Sequence, residues 1–109
     1  MRTVTTPAAR EDILAQFRYY ALDQGVPDVG LRFLDAVEAA TARISEEPAI
    51  GAPQHFDQPA LAGLRAWPVP GFDEIRLYYL ETGQTLLIVR VLHDKRDVRN
   101  ILQDAPASA

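Results

Sequence analysis

Residues 64–92 read LRAWPVPGFDEIRLYYLETGQTLLIVRVL, and three short strands can be traced through them. Leu64 to Val69 is the first, weakened by Pro68, which has no backbone N–H to give to a ladder. The second runs from about Glu74 to Leu80. Strand side chains alternate between faces, so Ile75, Leu77 and Tyr79 share one. Glu81-Thr82-Gly83-Gln84 supplies a turn. The third strand is Thr85 to Leu92, whose unbroken Leu86-Leu87-Ile88-Val89 predicts burial on both faces and a central position. Strands joined by such short connections form an antiparallel meander.

The first half reads differently. Arg2 to Thr5 is a short strand rich in Thr and Val. Thr6-Pro7 begins a helix, with Thr as the cap and Pro at the first helical position. Ala9, Ile13, Phe17, Tyr20 and Ala21 recur at helical period. Gly25 ends this helix in a left-handed cap, and Pro27 blocks its continuation. Asp28 is the expected cap of a second helix, whose apolar stripe is Val29, Phe33, Val37, Ala40 and Ile44 and which stops at Pro48. So short a linker predicts an antiparallel helix hairpin. Residues 48–63, with Pro48, Gly51, Pro53, Pro59 and Gly63, read as loop. Asp94 is the expected cap of a last short helix through about Gln103. The order is β-α-α-β-β-β with a short C-terminal helix: an α+β domain in which the hairpin covers one face of a small antiparallel sheet. Residues 1–103 are read as this single domain and 104–109 as a mobile tail.

Composition narrows the chemistry. The 109 residues carry a formal charge of −4 and no cysteine. Disulfides, thiolate catalysis and Cys-based zinc sites are thereby excluded. The acid excess lies in residues 1–60, with five Arg against nine Asp and Glu; residues 61–109 balance at six and six. Such a balance argues against direct DNA binding by this chain alone. The opening residues hold no apolar signal core and no run is long enough for a membrane span, which predicts a soluble cytoplasmic protein. There is no phosphate-binding Gly loop, HExxH or G-x-S-x-G, and two His are too few for a His-rich metal site; no cofactor is expected.

The polar residues of interest lie on the strands. Arg65 shares a face with Trp67 and Val69, and Arg76 with Tyr78. Arg90 alternates with Ile88 and Leu92, whereas His93 alternates with Val89 and Val91, so the two point to opposite faces unless the strand bends. The plainer expectation for these arginines is pairing with nearby carboxylates such as Asp94 and Asp97.

The pieces Leu64-Arg65, Gly71-Phe72, Leu77-Tyr78-Tyr79, Ile88 to His93 and Arg96-Asp97 together resemble the ParE branch of the RelE/ParE toxin family. Arg90-Val91-Leu92-His93-Asp94-Lys95-Arg96-Asp97 is the most specific of them. Pro48-Ala49-Ile50-Gly51 looks like the family's Pro-x-x-Gly after its helix hairpin. The resemblance implies a toxin neutralised by a cognate antitoxin whose C-terminal segment wraps the helices and sheet. It associates the ParE branch with inhibition of DNA gyrase and the RelE branch with cleavage of messenger RNA on the ribosome.

Two mechanisms follow. In the first, no residue is catalytic and the chain binds through hot spots, typically Trp, Tyr and Arg. The candidates are Tyr19, Leu22, Arg65, Trp67, Arg76, Tyr78, Arg90, His93 and Arg96, with Trp67 the first to test. In the second, His93 is the acid or base of a ribosome-dependent endoribonuclease, and Arg65 and Arg90 stabilise phosphate charge. The acidic balance and the absence of a tyrosine after Tyr79 favour the first. A family member that has lost toxicity and only binds its partner is a third reading.

Overall fold

The computed structural model describes residues 1–103; the expected tail, 104–109, lies outside them. The elements are β1 (Arg2–Thr5), α1 (Pro7–Arg18), a π-helical turn (Tyr19–Asp23), α2 (Pro27–Glu46), β2 (Ala52–Pro53), β3 (Arg65–Val69), β4 (Phe72–Thr82), β5 (Thr85–His93) and α3 (Val98–Gln103). The expected α+β arrangement is present. Its sheet has five strands in the order β1-β5-β4-β3-β2.

The sheet is mixed, where the sequence predicts an antiparallel one. β1 runs parallel to β5, with Arg2 opposite Thr85 and Thr5 opposite Ile88. Parallel neighbours need a long crossover, and the helix hairpin and the meander lie between these two strands. Thr6 fixes the exit from β1. Its N–H donates to Ile88 O, while its hydroxyl donates to Val89 O at 2.8 Å and accepts from Ala9 N as the cap of α1. Residues 48–63 are more than loop, since Ala52–Pro53 pairs with β3 as an edge strand. β5 is internal as expected, but the middle place belongs to β4.

Three helix boundaries differ from expectation. α1 loosens after Arg18 into the π-helical turn before Gly25 (φ 66°) closes it. α2 starts at Pro27, with the Val26 carbonyl accepting from Val29 and Gly30; Asp28 lies inside the first turn and is not the cap. Pro suits that first position because its missing N–H is not needed there. α3 begins at Val98. Asp94 is not its cap, because it lies four residues before the first turn and still continues the β4–β5 ladder by donating its N–H to Glu74 O; Asp97 precedes the helix, and its carbonyl accepts from Ile101.

Both faces of the sheet are covered. On one, Ala9, Phe33, Val37, Ala40 and Ile44 of the helices pack on Val69, Ile75, Leu77, Tyr79, Leu86, Ile88 and Val91. On the other, Leu61, Leu64 and Leu102 pack on Ala66, Tyr78, Leu80, Val89 and Leu92. The Arg99 guanidinium lies 4.8 Å from the Phe56 ring and donates to His55 O, tying α3 to the segment before β3. Gly30 lets the helices approach closely: a Cβ there would lie 3.0 Å from the Phe17 ring.

A bulge decides what the end of β5 presents. Tyr78 lies opposite Arg90 and Tyr79 opposite Ile88, so Val89 has no partner. One extra residue reverses the alternation beyond it. Ile88 and Val91 therefore both enter the helix-side core, while Val89 and Leu92 both enter the other. The expected groupings hold only beyond the bulge: Arg90 still alternates with Leu92 and His93 with Val91, but Ile88 no longer shares a face with Arg90, nor Val89 with His93.

Candidate partner-binding groove

β5 leaves the sheet at His93, opposite Ile75. The His93 Nδ1 accepts the Lys95 N–H at 3.1 Å, which places the ring proton on Nε2. Nε2 then faces the Glu74 carboxylate at 3.0 Å, and Asp94 lies 3.4 Å from Nδ1. These three side chains are close enough to hold a metal ion among them. The carboxylates flank opposite nitrogens of one ring, however, and Nδ1 is already engaged. A single ion would take Nε2 and Glu74 only, a poor set for a divalent metal.

Around this contact the surface is hollow. Tyr20, Glu74 and His93 border two depressions at once. One, of about 530 Å³, is completed by Gln16, Tyr19, Lys95 and Arg96. The other, of about 260 Å³, is completed by Gly71, Phe72, Asp73 and Ile75. Gly71 and Phe72 in turn border a third hollow, of about 590 Å³, against Val29, Arg32, Asp35, Ala36 and Ala39 of α2. Together they form one open groove that passes the tip of the β3–β4 hairpin. Its floor is anchored by an aromatic cluster. The Tyr20 ring centre lies 5.8 Å from Phe33 and 5.6 Å from Phe72, and Phe33 meets Phe72 edge-on at 5.4 Å. The π-helical turn leaves Tyr19 at the rim and Leu22 72% exposed beyond it.

The groove gathers Tyr19, His93 and Arg96 from the sequence candidates and leaves the others elsewhere. Arg90 donates two hydrogen bonds, at 2.7 and 2.8 Å, to Asp12 of α1, which also accepts the Val91 N–H. Asp12 thus takes over the edge of β5 where β1 ends. Its hydrogen bonds raise the Arg90 pKa further, against the opposing effect of burial. Arg65 donates to Gly51 O at 2.8 Å and to Ala49 O at 3.3 Å. Tyr79 closes the same corner: its hydroxyl donates to Pro48 O at 2.6 Å and accepts the Gly51 N–H at 2.9 Å. A Cβ on Gly51 would lie 2.5 Å from that hydroxyl, which accounts for glycine in Pro48-x-x-Gly51. Trp67 packs against the helix-side core, and Tyr78 is buried in the other, where desolvation raises its pKa. Arg76 is exposed on β4 opposite Leu92. Among the described residues, no ion pair joins these arginines to Asp94 or Asp97; Asp97 instead accepts from Asn100.

Tyr20, Phe72, Glu74 and Lys95 are groove residues that sequence reasoning missed. The hairpin at Glu81–Gln84 points back toward Glu74 as a neighbour of the end of β5, but the bulge shifts that count by one.

The chain matches, over residues 4–98, the family model described as the ParE toxin of the type II toxin–antitoxin system parDE. No curated protein matches it. Among solved structures it is similar to a chain of the chromosomal ParDE toxin–antitoxin system from P. aeruginosa. The TM-score is 0.67, with 18% identity over 85% of this chain and 95% of that one, a likeness of fold.

Proposed function

The chain belongs to the ParE toxin family of type II toxin–antitoxin systems, and from that premise we propose that it acts by binding other proteins: DNA gyrase when free, and a cognate ParD-like antitoxin that neutralises it. The observation that carries this reading is how the cationic side chains are used. An RNA-cleaving site needs cations and an acid–base group converging on one phosphate. Arg90 is clasped by Asp12, and Arg65 is bound to the Gly51 carbonyl. His93 lines the groove beside Lys95 and Arg96, but neither Arg65 nor Arg90, the two arginines expected to hold the phosphate, does. What stays open is a long concavity with an aromatic floor and a charged rim, a shape suited to a polypeptide segment. The reading needs no cofactor and places the chain in the cytoplasm with both partners.

Purified chain added to a gyrase supercoiling assay is expected to block supercoiling and to leave ribosome-bound messenger RNA intact. The product of the neighbouring small reading frame is expected to restore gyrase activity. Cleavage of messenger RNA that disappears in His93→Ala would contradict the proposal and favour a nuclease.

A further inference from the structure

The groove is not uniform in charge. Its α2 end carries Asp35, and the adjoining hollow on the same helix adds Glu38. Asp73 and Glu74 follow along its length, with Arg32 the one cation on that stretch. Its far end carries Lys95 and Arg96. Three ion pairs lie elsewhere, Arg18 with Glu11, Arg43 with Glu47 and Arg90 with Asp12, while other surface charges such as Arg10, Arg76 and Glu81 make none among the described residues. Among the described residues, Asp35, Glu38, Asp73, Lys95 and Arg96 make no ion pair, and all five are exposed. Carboxylates that outnumber Arg32 along one stretch of an apolar-floored groove, and the basic pair Lys95 and Arg96 at its far end, impose a direction on any segment lying in it. A reversed segment would set like charges against each other.

We infer that the groove reads the polarity of the antitoxin segment that fills it: acidic side chains lie over Lys95 and Arg96, basic ones over Asp35 and Glu38, and a large apolar side chain sits between them on Tyr20 and Phe72. This inference rests on the antitoxin reading above and specifies the chemistry of the partner. The aromatic floor supplies affinity through desolvated area, which does not depend on direction. The two charged ends supply orientation and encounter rate. A segment lacking this grading is therefore bound more slowly and without a fixed register.

The test uses the full chain and the full product of the neighbouring reading frame. Two double variants, K95E/R96E and D35K/E38K, alter exposed side chains only, so unchanged unfolding midpoints are expected and establish that both fold. At about 50 mM salt each is expected to weaken binding by at least about tenfold. The loss should shrink at about 500 mM, while Glu81→Lys, at the distant β4–β5 hairpin, changes nothing. Because the chain has no cysteine, Arg96→Cys and Ala39→Cys can each carry a single photo-cross-linker. The first is expected to capture an acidic stretch of the antitoxin and the second a basic one. Wild-type affinity in both charge-reversed variants, or capture of the opposite stretches, overturns the inference and leaves the antitoxin reading standing. Failure of the unmodified chain to bind at all overturns both.

Discussion

Arg90 and His93 stand three residues apart on β5, and each meets a carboxylate. The Arg90–Asp12 pair is closed in, with side chains 17% and 8% exposed. The His93–Glu74 pair lies in the groove, with Glu74 62% exposed. Asp12 accepts from two guanidinium nitrogens and from the Val91 N–H, so it serves as structure at the sheet edge. Among the described residues, the Glu74 carboxylate meets only the His93 ring and remains accessible along the groove. A carboxylate contact thus holds the fold in one place and presents a surface in the other, and burial separates the two. A charge pair out of water is costly to break because each partner leaves the other stranded. An exposed pair contributes little to stability, so its side chains are available to a partner.

The comparison breaks most visibly at Asp12. Asp12→Ala strands Arg90 and leaves the Val91 N–H without its acceptor, and is expected to cost about 3–5 kcal/mol. Denaturant titration followed by the fluorescence of Trp67, the single tryptophan, measures this. A loss under about 1 kcal/mol would show that the pair behaves as a surface pair.

The Pro48–Gly51 corner is a second closed region. Tyr79→Phe removes a donor and an acceptor together, at an expected cost of about 1–3 kcal/mol. It also changes the alkaline limb. Burial raises the Tyr79 pKa above 10.0, the Gly51 hydrogen bond opposing it, and burial raises Tyr78 likewise. A raised folded-state pKa stabilises the fold fully below the unfolded value and is lost as pH rises through the folded one. Stability is therefore expected to fall above about pH 10, and Tyr79→Phe to make that fall shallower without abolishing it, since Tyr78 remains. Unfolding midpoints measured across that range test the sign.

The smallest stability effect is expected in the open region. His93→Ala should move the unfolding free energy by no more than about 0.5 kcal/mol, while weakening antitoxin binding measured by calorimetry. A large loss of stability with unchanged binding would place His93 with Arg90 on the structural side.

Sequence pattern reaches far into this fold. Helical periodicity finds the stripe Phe33, Val37, Ala40 and Ile44, and alternation finds Ile75, Leu77 and Tyr79, because these positions answer to one packing face each. The parallel pairing of β1 escapes it, since four residues carry no signal of direction. So does Ala52–Pro53, too short to alternate. The groove was the least legible part. Tyr19, His93 and Arg96 are visible as polar or aromatic residues outside the stripes, but their convergence depends on the unpaired Val89 and on the π-helical turn. Neither has a residue signature, so Tyr20, Phe72 and Glu74 were hidden. The conspicuous arginines misled in the other direction: Arg65 and Arg90 look like chemistry, and each is bound to a partner that closes the fold.

Hydrogen exchange of the chain with and without the product of the neighbouring reading frame tests most directly that the open groove, and not the closed corner, receives the partner. New protection at Phe72 to Ile75, at His93 to Arg96 and around Tyr19 and Tyr20, with Pro48 to Gly51 and Arg65 unchanged, is the predicted result. Protection confined to the Pro48–Gly51 corner, with the groove exchanging as in the free chain, would contradict it.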